Sequence, residues 1–267
     1  MIRWRSGRRR RLIAALAALP AAAVVAMGPA AAQPTSRLTV DGTELVLTSA
    51  DGRERRSREL VGAILTLSEG GTSRRVRIDA VERDRSQPDV WLHRVAAQDP
   101  ATGDWSEYCA PDPQGRRLAI ALAAGDRGRF QLTCTAGAVA KCVRMGYLPW
   151  RTAPSGASLA AHHAACVHLL RADYCGDDRP ATRDGTLVDV FDREGIQRPE
   201  ADPTLAFEAA WSPQGAVCVA RTRIPELLSL DELLARCPRL RGATGAACTA
   251  DSAPPDALLF NRSRPRP

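Results

Sequence analysis

The chain has 267 residues, with 37 Lys and Arg against 30 Asp and Glu, and its formal net charge is +7. Six of the arginines lie between positions 3 and 11, where there is no acid, so the rest of the chain carries 31 basic and 30 acidic residues. Nucleic-acid-binding proteins need a basic surface. The near balance beyond position 11 therefore argues against nucleic acid as a partner.

Residues 1–32 have the organisation of an export signal. The six arginines precede an apolar run from Leu12 to Met27, and Ala30 and Ala32 place small residues at positions −3 and −1 of a cleavage site. The run is shorter than the roughly 20 apolar residues that a membrane span requires. We predict cleavage after Ala32, a secreted or periplasmic mature chain without a transmembrane segment, and export by either the general or the twin-arginine route.

The part from residue 33 to residue 104 is predicted to be β-rich. Leu38–Val40 and Thr43–Leu47 flank the dipeptide Asp41-Gly42, which favours a hairpin with a type I′ turn. Further short strands are predicted over residues 60–67, 75–81, 90–95, 117–122 and 130–134. Strands at this spacing indicate an antiparallel sheet or barrel.

The part from residue 105 to residue 240 is predicted to be mixed and to form one compact domain with the preceding part. A helix should begin at Ser155 or Ser158 and run to about Asp173, with Cys175-Gly176 as its C-terminal cap. A hairpin over residues 207–219 and a second short helix over residues 227–237 follow. The Pro- and Arg-rich residues 249–267 are predicted to be a disordered tail. The fold class is therefore α+β.

Cysteine content indicates a disulfide framework. The chain has eight cysteines, none before position 109 and none in a CxxC pair, and an even number in an exported chain favours disulfides. The cysteines predicted to be paired are Cys109, Cys134, Cys142, Cys166, Cys175, Cys218, Cys237 and Cys248.

The pairing is constrained by the predicted helix. At about 1.5 Å per residue, Cys166 and Cys175 should lie on the order of 13 Å apart, and a disulfide needs Cα atoms within roughly 7 Å, so these two should not pair. We predict the local bridges Cys109–Cys134 and Cys237–Cys248. Two alternatives remain for the other four: Cys142–Cys166 with Cys175–Cys218, or Cys142–Cys175 with Cys166–Cys218.

The string "RADYCGD" at residues 171–177 is similar to the signature of the bacterial ADYC domain. Segments 138–150, 163–166, 182–192 and 207–219 also resemble that family, in order, so the resemblance covers most of residues 105–240. It implies an exported bacterial domain without an established activity. No catalytic residue can be carried over from it.

A hydrolase is one functional hypothesis. His163 lies on the predicted helix, and Asp173 and Asp177 belong to an acidic segment over residues 173–192. A histidine beside a carboxylate is the usual general acid–base pair. The sequence has neither GxSxG nor HExxH, so whether the protein is an enzyme stays open.

Metal binding is a weaker hypothesis. His162 and Cys166 are four residues apart on the predicted helix, and Cys175 or Asp173 could complete a zinc shell. In an oxidising compartment such thiols form disulfides instead, and the acids 173–178 lack the spacing of a calcium loop. We predict no metal site and no cofactor.

A binding or structural module of the cell envelope or extracellular space is the function we expect. Tyr147 and Trp150 lie in a Pro-containing turn, where exposed aromatic side chains would suit a glycan or peptide ligand. The "RADYC" segment is then interpreted as a structural anchor, in which Tyr174 packs and Cys175 fixes the end of the helix.

Overall fold

Three antiparallel sheets and three helices make up the part of the chain that the structure, a computed structural model, describes: residues 36–69, 71–125 and 128–264. The predicted export signal, residues 1–32, lies outside these ranges. The described residues form one compact unit. The predicted α+β class is confirmed.

The first sheet has the order β1-β2-β3, and its strands are β1 Arg37–Asp41, β2 Glu44–Thr48 and β3 Glu54–Arg56. The predicted hairpin between β1 and β2 is confirmed. Its turn differs from the prediction, because Gly42 has a φ of 62° while Thr43 is not among the residues of positive φ. Positive φ at the first central position alone is the pattern of a type II′ turn rather than type I′.

The second sheet contains six strands in the order β4-β5-β6-β8-β9, with β7 paired to β6. Its strands are β4 Ile64–Glu69, β5 Thr72–Arg83, β6 Trp91–Gln98, β7 Trp105–Glu107, β8 Ala119–Ala123 and β9 Phe130–Cys134. Buried Leu45, Leu60, Ile78 and Ala121 join this sheet to the first one. The strand predicted over residues 60–67 begins only at Ile64. Residues 57–60 form a 3₁₀ turn, in which buried Ser57 accepts a hydrogen bond from the Leu45 amide.

The third sheet has the order β10-β13-β11-β12. Its strands are β10 Val188–Asp192, β11 Ala206–Ser212, β12 Gly215–Val219 and β13 Leu259–Ser263. The prediction of a disordered tail is wrong for β13, which lies inside the sheet between β10 and β11 and is largely buried. The arginine at its solvent side, Arg262, is paired with Asp189 at 2.8 Å. The positive charge that suggested disorder is therefore neutralised by an acid of the neighbouring strand.

Of the three helices, the first two connect the second sheet to the third, and the last lies between strands β12 and β13 of the third sheet. They are α1 Ala138–Arg144, α2 Leu159–Arg171 and α3 Leu230–Arg236. Ser158 caps α2 by accepting the Ala160 amide hydrogen bond, which confirms one of the two predicted caps. Helix α1 packs on the second sheet through Ala140 and Val143, and α2 packs on the third sheet. Within the described ranges, no helix has the length and apolarity to span a bilayer.

All eight cysteines are paired. Cys109–Cys134 is confirmed, with Cα atoms 5.5 Å apart, and Cys142–Cys166, one of the two open alternatives, joins α1 to α2 at 5.8 Å. The predicted bridge Cys237–Cys248 and the partner Cys218 proposed for Cys175 are wrong. Instead Cys175 pairs with Cys237 at 5.6 Å and Cys218 with Cys248 at 5.7 Å.

The exchange of partners has a structural reason. Cys218 lies on β12 beside the chain around Thr244, which forms a bridge with Val219. This brings Cys248 to the sheet rather than to α3. Cys237, at the end of α3, is then free to reach the end of α2. The pair Cys166 and Cys175 does not form, as predicted.

Candidate functional site

Two adjoining clefts share Gly42 and the indole of Trp150, and we name them together the Trp150 groove. Their volumes are about 380 and 420 Å³, which together fall in the range of small-ligand sites. The polar half is lined further by Asp41, Glu44, Arg83, Asp89, Trp91 and Arg151. The more apolar half is lined further by Val40, Leu122, Ala123, Gln131, Pro149 and His163.

The β1–β2 turn holds the Trp150 ring in place. A Cβ atom built on Gly42 would lie 3.2 Å from the indole of Trp150, so the ring packs directly on the glycine backbone. The buried hydroxyl of Thr43 accepts a hydrogen bond of 2.7 Å from the amide of Trp91 at the start of β6. Trp150, the turn and β6 are therefore fixed relative to one another.

Trp91 forms the deeper aromatic wall of the polar half. The residue is 8 % exposed, and its ring lies beneath two guanidinium groups, with Arg83 at 4.1 Å and Arg58 at 5.2 Å from the ring centroid. Such cation–π contacts hold the arginines over the ring. Trp150 is only partly buried, so it is the aromatic side chain that a ligand in the groove would meet.

Most charges of the polar half are paired, and two of its carboxylates are accessible. Arg56 donates to Glu44 at 2.9 Å and to Asp41 at 3.4 Å, and Arg151 donates to Asp89 at 2.7 Å. The side chains of Asp41 and Asp89 remain 74 % and 51 % exposed. The half therefore offers both hydrogen-bond donors and acceptors with little net charge.

His163 faces the other half, and its Nε2 lies 3.0 Å from the carbonyl oxygen of Val139. Because a carbonyl only accepts, Nε2 carries the proton and Nδ1 is left as an acceptor. Burial lowers the pKa of His163, against the opposing effect of the Val139 hydrogen bond. The neutral ring is thus held on the backbone of α1.

The "RADYCGD" segment forms a compact cap at the end of α2. Ala172 adopts the left-handed conformation, with φ 50°, and the Asp173 amide bonds the His168 carbonyl at 2.9 Å. The fully buried carboxylate of Asp173 accepts from the ring of His168 at 3.0 Å and from the amides of Asp177 and Asp178 at 3.1 and 3.0 Å. The expected cap at Cys175-Gly176 is wrong, because the helix ends three residues earlier.

Gly176 has another role, which depends on its missing side chain. Its φ is 69°, and a Cβ atom would lie 2.3 Å from the Gln214 carbonyl oxygen in the β11–β12 turn. Glycine therefore allows the end of the motif to contact that turn. The next residue, Asp177, pairs with Arg236 of α3, whose hydrogen bond lowers the pKa of Asp177 to about 2.

Tyr174 is the centre of a buried polar network. Its hydroxyl donates to Glu208 at 3.0 Å and accepts from the Arg223 amide at 2.7 Å, while its ring stacks on Trp211 at 5.2 Å. Arg223 binds Glu208 through two nitrogens at 3.0 Å and also donates to the carbonyls of Leu169 and Leu170, the last turn of α2. These groups satisfy one another inside the core.

A family model described as the ADYC domain matches residues 57–225, more than half of the chain. The chain belongs to the ADYC domain family. No curated protein and no solved structure matches it. The match starts at Ser57, before the second sheet, so in this ADYC domain the family region extends well ahead of the cysteine-rich part.

The structure separates the residues proposed for catalysis. His163 contacts the Val139 carbonyl, whereas the histidine next to Asp173 is His168, and that carboxylate is fully buried. Asp177 is paired with Arg236 instead. The arrangement of His163 beside an aspartate of segment 173–192 is thus not found among these contacts. No group of three or more potential metal ligands occurs within the described residues of the ADYC domain.

The two aromatic residues proposed for binding have different environments. Tyr147 is fully buried and donates to Asp192 at 2.8 Å, so the expectation that it contacts a ligand is wrong. Trp150 lines both halves of the groove. Sequence reasoning missed Gly42, Thr43 and Trp91 as parts of the site, because they precede Trp150 by 59 to 108 positions. It also missed the buried pair of Glu208 and Arg223. The position of Glu208 within an otherwise apolar strand could have indicated such a pair.

Proposed function

We propose that this ADYC domain is an exported binding module whose ligand site is the Trp150 groove. The observation that carries the proposal is the position of the Trp150 ring, which forms a common wall of two clefts. Ligand sites are concave, largely preformed and oriented by a few polar groups. The contacts of Gly42 with Trp150 and of Thr43 with Trp91 supply that preformed geometry.

The ligand class that suits the groove is an uncharged oligosaccharide. The lining acids and arginines neutralise one another, so a charged ligand gains little. The exposed carboxylates accept and the guanidinium groups donate, which matches hydroxyl groups that do both. The indole adds an apolar face for the C–H face of a sugar ring. A glycan fits this combination better than an apolar peptide does.

The test is a titration of the oxidised protein with chitotriose, cellotriose and maltotriose, followed by tryptophan fluorescence and calorimetry. We expect saturable binding of at least one of the three. Trp150→Ala should weaken it about tenfold or more, since loss of one aromatic contact costs on the order of 1–2 kcal/mol.

Trp105→Ala provides the matched control, because Trp105 lies on β7 under Arg77, outside the groove. It should leave the affinity within about twofold of the wild type. Absence of binding by all three sugars, or equal loss in both variants, would reject the proposed ligand class. The Trp150→Ala protein must retain its four disulfides, which mass spectrometry without reductant checks.

Export is part of the proposal and needs a separate test. Four disulfides fit an oxidising compartment, and the predicted cleavage site follows Ala32. N-terminal sequencing of protein from the native source should begin at or near Gln33. Recovery of most of the protein with Met1 intact would contradict export through this signal.

A further inference from the structure

A second cleft, of about 610 Å³, lies beyond the Trp150 groove and carries three arginines. It is lined by Glu82, Arg85, Ser86, Gln114, Arg116 and Arg144. We name it the arginine cleft. The segment 83–86 separates the two sites, because Arg83 lines the groove whereas Arg85 and Ser86 line the cleft.

Two buried aspartates build the walls of the arginine cleft. Asp84 accepts from the amide and hydroxyl of Ser86 at 2.8 and 2.9 Å. Asp112 accepts from the amides of Gln114 and Arg116 at 3.0 and 2.9 Å. Each aspartate thereby closes a tight turn whose outer residues face the cleft.

Arg144, the last residue of α1, joins these two turns. Its guanidinium group donates to Asp84 and lies 3.7 Å from Asp112, and Arg116 lies 3.2 Å from the same Asp112 oxygen. Burial would raise the pKa of both aspartates, but their hydrogen bonds and the arginines outweigh it and lower both pKa values. Both carboxylates are thus charged and hold the two arginines in fixed positions.

A ligand in this cleft would meet the guanidinium groups and the one exposed acid, Glu82, but not the two aspartates. The side chains of Asp84 and Asp112 are 1 % and 0 % exposed, whereas Arg116 is 30 % exposed and Arg85 is at the surface. The Nε of Arg116 is buried without a partner among the described residues. The acidic and basic side chains in and beside the cleft balance one another, so there is little long-range attraction for an anion. The preference for an anion arises at contact distance, from N–H groups that are directed at the ligand.

We propose that the arginine cleft binds a phosphate group. Guanidinium groups form forked, charge-assisted hydrogen bonds with phosphate oxygens, and three of them suit a doubly charged oxyanion better than a single carboxylate. The side-chain amide of Gln114 adds a neutral donor at the rim. The site is independent of the proposed glycan groove, and the phosphate can belong to a soluble compound or to a lipid headgroup.

The test uses inorganic phosphate on the oxidised protein, with arginine Nε–H NMR resonances and calorimetry as readouts. We expect saturable shifts of Arg116 and Arg144. Arg116→Gln and Arg85→Gln should each weaken binding about tenfold, because one charge-assisted hydrogen bond is lost. Arg55→Gln, at an exposed arginine of β3, should leave it unchanged. Trp150→Ala should also leave it unchanged, which keeps this proposal separate from the glycan groove.

A lipid source is distinguished by sedimentation with phosphatidylglycerol vesicles and phosphatidylcholine vesicles. Binding to the former that Arg85→Gln abolishes and Arg55→Gln does not would assign the phosphate to a headgroup. Arg85 forms no ion pair within the described ranges, so Arg85→Gln should fold even if Arg116→Gln, which removes one of the two arginines beside the buried Asp112, does not. The proposal is overturned if neither phosphate nor anionic vesicles bind, or if Arg55→Gln and Arg85→Gln weaken binding equally.

Discussion

The core under α2 and the Trp150 groove are built from the same kinds of residue and have opposite properties. Under α2, Tyr174 and Trp211 combine with the pair Glu208–Arg223, and all four are at most 1 % exposed. In the groove, tryptophans combine with arginine–carboxylate pairs, and two of the acids, Asp41 and Asp89, are more than half exposed. In the first region the polar groups bond to each other, whereas in the second they can bond to a ligand.

This difference separates the family signature from the proposed binding site. The letters "ADYC" place Asp173, Tyr174 and Cys175 in contact with the helix end, the third sheet and α3. These structural contacts are sufficient to explain why these residue types occur together. A ligand is therefore better sought at the surface formed by β1, β2 and the loop after α1.

The largest expected effect comes from breaking the buried pair. Glu208→Gln leaves the charge of Arg223 without its carboxylate, and removing one partner of a buried pair costs about 3–5 kcal/mol. Urea unfolding of the oxidised protein should show that loss. The matched surface variant is Glu107→Gln, whose partner Arg94 is 54 % exposed, and exposed pairs contribute about 0–1 kcal/mol. Similar losses in both variants would contradict the comparison.

The bridge at the end of the signature should have the next largest effect. Cys175 and Cys237 are 62 residues apart in sequence, and replacing both by alanine should lower the free energy of unfolding by about 2–4 kcal/mol. Thermal unfolding without reductant measures the change. Oligosaccharide binding by the Trp150 groove should persist below the new transition, since the bridge lies in the other region. Loss of both together would show that the two regions are coupled.

The stability of the β-rich part should depend on pH, because a buried histidine lies beneath the β1–β2 hairpin of the groove. His93 is fully buried with Nε2 2.8 Å from the hydroxyl of Ser57, and burial lowers its pKa to about 4. The folded protein keeps this ring neutral while the unfolded chain takes up a proton below pH 6.5. Stability is therefore lost as the pH falls from about 6.5 towards 4, by about 2 kcal/mol between pH 7 and pH 5.

The variant His93→Gln isolates the part of this pH dependence that comes from His93. It lowers stability at pH 7 by removing packing, but its free energy of unfolding should change less between pH 7 and pH 5 than that of the wild type. Urea unfolding at both pH values gives the two differences. Equal differences in wild type and variant would assign the acid sensitivity to other groups.

Local sequence patterns predicted individual strands and helices, but not which of them lie next to one another in space. Strand β9 and the Ser158 cap follow from nearby residues, and Cys109–Cys134 joins the segment after β7 to the end of β9. Strand β13 was missed because its residues follow a Pro-rich stretch and are stabilised by distant partners, as in the Trp211 to Asn261 hydrogen bond of 2.8 Å. The Cys237–Cys248 prediction failed for the same reason, since proximity in sequence was taken for proximity in space.

The site was predictable only in part. Trp150 was named because aromatic residues in turns are often exposed, and its place in the groove supports that interpretation. Tyr147, three residues earlier, was named on the same ground and is buried. The two differ because Tyr147 points towards Asp192 and the α2 core, a direction that depends on how β10 is placed. The placement of β10 is set by the order of strands in the third sheet, and no local pattern in the sequence indicates that order.

The smallest expected effect tests the groove itself, through Gly42→Ala with Gly52→Ala as its control. Both glycines have positive φ, 62° and 81°, so each alanine should cost about 1 kcal/mol of stability. Only at Gly42 would the new methyl group meet Trp150, at 3.2 Å, whereas nothing lies within 4 Å of the control position. The two proteins should therefore unfold at similar urea concentrations and differ in the groove.

In Gly42→Ala the indole must move by a few tenths of an ångström, which should shift its fluorescence and weaken oligosaccharide binding several-fold, while Gly52→Ala should match the wild type in both. If Gly42→Ala binds the sugar as well as Gly52→Ala does, the Trp150 ring is not positioned by the hairpin, and the groove loses the rigidity on which its proposed function depends.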